Sequence, residues 1–213
     1  MEQIQPSVIV QGPSYEYVPL SSPGYFRLLR VTRRIQDRSA LSGRKRSRLL
    51  CCLKRTQSRV EDTDRLSFQN WDFSIETRRR SGFSDFEAVS YAWGDLTKTN
   101  VLQLKDGRVI PITKSLFEAL PYLADRSATG RLWIDQLCIN QDDLDERGSQ
   151  VPTMGEIYSQ AVQTFAWTGL ADGSSDLVAR IPYVDEQQLY NALSAVCLRP
   201  WFSRGWVSQE AVL

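Results

Sequence analysis

The stretch Leu132 to Asp143, LWIDQLCINQDD, constrains this chain more than any other. A short apolar run stops at Asp135 and gives way to amides and carboxylates, the pattern of a strand covered on both faces that delivers polar groups to its own end. In open α/β sheets ligands bind in the crevice beyond the carboxyl ends of the strands, so Asp135, Gln136, Asn140 and Gln141 stand where recognition or chemistry can occur. The local alternative uses the same residues differently, since Asn, Gln and Asp also satisfy loop backbone and cap the next helix.

With 213 residues, 42% hydrophobic and 10% aromatic, the chain can bury one sizeable core. It shows no apolar run of membrane-spanning length, and the start MEQIQPSVIVQGP lacks the charged and apolar regions of a secretory signal, so a soluble cytoplasmic protein is expected. Histidine is absent. That removes Ser-His-Asp and Cys-His catalysis, His-ligated zinc and imidazole acid/base chemistry together. Cys51, Cys52, Cys138 and Cys197 have no CxxC spacing, and Cys138 and Cys197 read as buried thiols. The net charge of +1 conceals a basic arm: residues 27 to 59 hold twelve Lys or Arg and one acid, whereas 60 to 213 hold fourteen against twenty-two. The run GRKRSR at 43–48 has the charge to meet an anionic partner, but no aromatics interleave with it, and a solvated loop is the preferred reading.

In chain order, YFRLLRV (25–31) and LLCCL (49–53) read as two short strands pairing in an N-terminal ribbon. Residues 54–85 read as a loose connection anchored by Phe68, Trp71, Phe73 and Ile75. FEAVSYAWGD (86–95) is a strand with Val89, Tyr91 and Trp93 on one face and Ala88, Ser90 and Ala92 on the other. VLQLKDGRVIPI (101–112) predicts an edge hairpin with a two-residue type I′ turn at Asp106-Gly107, Pro111 marking the outer strand. Ser115 to Asp125 has the stripe of a helix, opened by a Ser115/Glu118 capping box, with Pro121 kinking it or marking its true start. After the strand 132–134 a helix from Pro152 carries Met154, Tyr158, Ala161 and Phe165, and Gln163 to Trp167 reads as a further strand. Residues 170–187 read as a variable loop and Leu189 to Leu198 as a helix. Trp201, Phe202 and Trp206 then cluster before Glu210, three residues from the end, the pattern expected of a domain cut short.

FEAVSYAWGD, LWIDQLCINQDD with Glu146-Arg147 and Gln150-Val151, MGEIYSQA and RGWVSQE, in that order, resemble the blocks of the fungal heterokaryon incompatibility (HET) domain. The resemblance covers roughly 86–213, leaving 1–85 as an N-terminal extension. It implies a cytosolic fungal protein of nonself recognition and programmed cell death, acting with copies of itself or with other incompatibility proteins. FEAVSYAWGD is also similar to the first strand and loop of Toll/interleukin-1 receptor (TIR) domains, and Trp206 to Glu210 to the motif holding the catalytic glutamate of TIR-type NAD hydrolases. That similarity implies Glu210 as a catalytic carboxylate, with Ser90, Tyr91, Trp93, Asp95, Asp135 and Asn140 around NAD as substrate and no cofactor required.

The expected architecture is therefore α/β: a short, mainly parallel, TIR-like sheet flanked by helices, with an N-terminal β ribbon and an edge hairpin. Three functions compete: a self-associating signalling module, an NAD-cleaving enzyme, and a nucleic-acid-binding module, disfavoured because the body of the chain is acidic. A membrane partner is not expected.

Overall fold

The computed structural model describes residues 12–34, 68–178 and 185–205. Its centre is a five-stranded sheet built from β1 (Tyr25–Arg33), β2 (Trp71–Arg79), β3 (Glu87–Tyr91), β6 (Arg131–Trp133) and β7 (Gln163–Trp167) in the order β2-β1-β6-β3-β7. β3 runs parallel to β6 and β7, while β1 runs antiparallel to both β2 and β6. The sheet is mixed, which corrects the mainly parallel expectation. The N-terminal ribbon does not stand apart: Leu29 pairs with Leu132, and β1, with Phe26, Leu28, Leu29 and Val31 buried, is an interior strand.

The ribbon's second strand also differs from expectation. β1 pairs along its whole length with β2, from Tyr25 opposite Arg79 to Arg33 opposite Trp71; the expected partner, 49–53, lies outside the described residues. In β2, Trp71 and Phe73 are buried and alternate with Asp72 and Ser74, a period-2 pattern hidden by the charge of the surrounding sequence.

β4 (Asn100–Gln103) and β5 (Val109–Ile112) form a separate two-stranded sheet. Its turn is not type I′, because that geometry needs a positive φ at Asp106, and among the described residues only glycines have one. Instead Leu104 pairs with Arg108, Gly107 N–H donates to the Leu104 carbonyl at 3.0 Å, and Gly107 takes φ 86°, the arrangement of a three-residue loop ending in a left-handed glycine. The turn folds back onto the main sheet, where Lys105 N–H donates to the Phe73 carbonyl at 2.7 Å.

α1 (Lys114–Arg126) runs through Pro121 and buries Leu116, Ala119, Leu120 and Leu123. Its cap is Thr113, whose side chain accepts from Leu116 N–H; Ser115 instead donates to the Ala92 carbonyl at 2.7 Å. After β6 the chain enters α2 (Asp135–Cys138) and then α3 (Leu144–Gln150), whose cap Asp143 accepts from Asp145 and Glu146 N–H. α4 (Met154–Gln160) follows a 3-10 turn containing Pro152 and stops before Phe165, which belongs to β7. The expected loop 170–187 contains α5 (Gly173–Val178), and α6 (Glu186–Cys197) follows.

One polar contact inside this framework joins β1 to α3. Arg27, 1% exposed, forms a two-pronged ion pair with Glu146 (Nη1–Oε1 2.5 Å, Nη2–Oε2 2.9 Å). Its remaining donors reach the carbonyls of Val18 at 2.7 Å and Cys138 at 3.2 Å. Removing one partner of such a pair strands the other charge away from water. Glu146→Ala should therefore lower the unfolding free energy by about 3–5 kcal/mol in a urea titration, and Arg27→Met combined with Glu146→Leu should recover most of that loss. A single-variant loss below ~1 kcal/mol would place the pair among weak surface bridges.

Candidate functional site

Because β3 and β6 are parallel neighbours, their carboxyl ends open on the same rim of the sheet. β3 ends at Tyr91 and leads into Ala92-Trp93-Gly94-Asp95, where Gly94 takes φ 67° and turns the chain. β6 leads through the extended Ile134 into Asp135, the first residue of α2.

The two ends meet through their side chains. Trp93 Nε1 donates to both Asp135 carboxylate oxygens, at 3.1 and 3.0 Å, and Gln136 N–H donates to Oδ1 at 2.7 Å. An ionised carboxylate held by several N–H donors has a fixed orientation. The Tyr91 hydroxyl is fully buried beside it. Burial first, and the Asp135 charge second, push the Tyr91 pKa well above its ordinary value. Gln141 Nε2 closes the turn by donating to the Asp135 carbonyl at 2.8 Å.

Strand alternation turns Ser90 to the opposite face from Tyr91. There Ser90 Oγ accepts from Trp201 Nε1 at 2.8 Å and from Arg204 Nη1 at 3.4 Å. The end of β3 is thus clasped from two sides, by Trp93–Asp135 and by the segment that follows α6.

Of the residues expected at the site, Tyr91, Trp93 and Asp135 come together, and Ser90 sits on the other face of the same strand end. Asp95 is exposed and shapes a turn, its Oδ1 accepting from Thr97 N–H at 2.9 Å and Thr97 Oγ1 at 2.8 Å, contacts that hold its pKa below the ordinary value. Asn140 is likewise a turn residue: its Oδ1 accepts from Asp142 N–H at 3.3 Å, and its own N–H donates to Glu146 Oε1 at 2.8 Å. Glu210 lies outside the described residues.

Two further residues position the strands that form the rim: Glu87, which was not singled out from the sequence, and Gln136, which was expected at the strand end. Glu87, fully buried at the start of β3, accepts from Ser127 Oγ at 2.8 Å, Ala128 N–H at 2.7 Å, Thr129 N–H at 3.1 Å and Thr129 Oγ1, so it gathers the loop leading into β6. Gln136, 2% exposed, accepts from Thr113 N–H at 3.1 Å and ties the site to the start of α1. The signal was available in principle: an acid or amide inside an otherwise apolar run must bring its own donors. Among the described residues no three His, Cys, Asp or Glu side chains cluster as metal ligands would.

Cys138, in α2, is buried, and burial pushes its thiol up to about 12, whereas Cys197 is exposed. Alkylation with iodoacetamide at pH 8 followed by peptide mapping should label Cys197 in the native protein and reach Cys138 only in denaturant. Equal native labelling at both would mean that α2 is open to solvent.

A family model described as Heterokaryon incompatibility protein (HET) matches residues 86–210. Heterokaryon incompatibility protein 6, OR allele, of Neurospora crassa is 42% identical over 103 residues, covering 43% of this chain and 15% of that protein. Vegetative incompatibility protein HET-E-1 of Podospora anserina is 27% identical over 131 residues, covering 60% of this chain and 9% of that protein. The chain thus spans a small fraction of the curated relatives it matches. No solved structure matches it.

Proposed function

Because this chain belongs to the heterokaryon incompatibility family, we propose that it is a signalling module of fungal nonself recognition, acting in the cytoplasm to trigger programmed cell death through self-association or contact with other incompatibility proteins. The observation that carries this reading is the joining of two sequence blocks at one rim: Trp93, from the first, holds Asp135, from the second, and both lie within the matched region. Among the described residues no helix is long and apolar enough to cross a membrane.

Inducible expression in a fungal host tests this directly. Growth should arrest on induction, and Asp135→Ala, at matched protein level, should restore it. Undisturbed growth with the unaltered chain at that level contradicts the reading.

A second reading, hydrolysis of NAD, is favoured by the oriented Asp135 carboxylate at the carboxyl ends of two parallel strands. In it, Asp135 accepts hydrogen bonds from ribose hydroxyls and the Trp93 ring packs on nicotinamide. Glu210 stabilises the positive charge that develops at the anomeric carbon as the bond to nicotinamide breaks. The bonding pair leaves with neutral nicotinamide, and water adds to the sugar with release of a proton. Purified protein incubated with NAD should release nicotinamide, and Glu210→Gln should abolish turnover with the fold intact. Absence of turnover in a demonstrably assembled sample leaves the signalling module alone.

A further inference from the structure

The parallel neighbours β3 and β7 send the chain to opposite faces of the sheet. From β3 it passes through the hairpin to α1, and Tyr122 of α1 packs on Trp167, ring centres 5.3 Å apart, on the face that Trp167 shares with its pair Tyr91. From β7 it passes through α5 and α6 to residues 199–204, where Trp201 and Arg204 bond Ser90 on the other face. Adjacent parallel strands with onward connections on opposite faces leave a crevice beyond their carboxyl ends, the place where open α/β sheets bind ligands. Here that place lies between β3 and β7.

Residues 199–204 span both strand ends. Arg199 Nη1 donates to Thr168 Oγ1, just past β7, at 3.4 Å, and its charge is met by Asp172 at 2.7 Å. Arg204, half-buried, donates to Ser90 Oγ at 3.4 Å, which sets its guanidinium at the end of β3. The Asp135 carboxylate reaches the same strand end from the other side, through Trp93. Beyond burial, Asp135 raises the Tyr91 pKa and Arg204 lowers it, so opposite charges face one hydroxyl at that end.

We propose that Arg204 is the phosphate-binding residue of a nucleotide site in the crevice beyond the carboxyl ends of β3 and β7. A guanidinium presents a planar fork of donors that matches phosphate oxygens in pairs. At the same strand end Trp93 offers an aromatic face and Asp135 an acceptor for sugar hydroxyls, and a nucleotide carries the complement of all three. The proposal rests on the ligand-site reading of Trp93 and Asp135 above and adds the residue that takes the phosphates. It concerns binding, whether or not the bond to nicotinamide is then broken.

Isothermal titration calorimetry of the full chain with NAD and with nicotinamide riboside, which keeps the ring and one ribose but has no phosphate, tests this, with nicotinamide release followed in the same samples. The unaltered chain should bind NAD about tenfold or more tighter than the riboside, less so as salt rises. Arg204→Gln, its fold confirmed by near-UV circular dichroism, should remove that difference, and Arg204→Lys should keep part of it. Equal weakening of both ligands would make Arg204 a brace for the segment and overturn the assignment, as would unchanged NAD affinity in the folded variant. NAD bound without nicotinamide release keeps the assignment and removes the hydrolysis reading; an unaltered chain that does not bind NAD overturns both.

Discussion

A buried ion pair between Arg27 and Glu146 is the contact on which the rest of this structure depends. Two charges taken from water cost several kcal/mol each unless their remaining hydrogen-bonding capacity is met. Here it is met almost wholly by main chain: the guanidinium also serves the carbonyls of Val18 and Cys138, the carboxylate also accepts Asn140 N–H, and Tyr17 covers the guanidinium face at 5.0 Å. Each extra contact reaches a different segment. Through one pair of side chains, β1, the strap before it, α2 and the turn at Asn140 are held in a single arrangement.

This tie explains how a mixed sheet comes to present an ordered rim. The parallel neighbours β3 and β6 bring Trp93 and Asp135 to the same end, but a three-residue strand such as β6 fixes little by itself. Its position is set from both sides. Glu87 binds the loop entering β6, and Arg27 binds the carbonyl at the end of α2 that leaves it. The Asp135 carboxylate therefore sits between two anchored segments, which is what a recognition or catalytic site needs from its scaffold.

Much of this was legible in the sequence where one signal dominated. β3, β6, β7, α1 and α6 appeared near their expected places because short apolar runs or a 3.6-residue stripe had little competition. The reading failed where two signals overlapped. In β2, charges on the outward positions masked the alternation of Trp71 and Phe73; at Asp106-Gly107 the dipeptide suggested a two-residue turn, whereas the pairing of Leu104 with Arg108 set a longer loop. The mixed character of the sheet was not readable locally, since strand direction is decided by the tertiary contact of Leu29 with Leu132. At the site, Trp93 hydrogen-bonds Asp135, while Asp95 and Asn140 serve their own turns. Glu87 was read only as part of a strand, because nothing local shows that its donors come from residues 127–129.

Amide hydrogen exchange resolved to single residues tests the tie most directly. Asn140 lies outside any helix or strand, yet its N–H is committed to the buried carboxylate of Glu146, whereas its neighbour Asp142 is exposed. If the ion pair organises the rim, the Asn140 amide is protected to the same free energy as the Leu29 amide in β1. Exchange of Asn140 at the rate of Asp142, with Leu29 still protected, would show that the sheet stands without the tie and that the rim is not held by it.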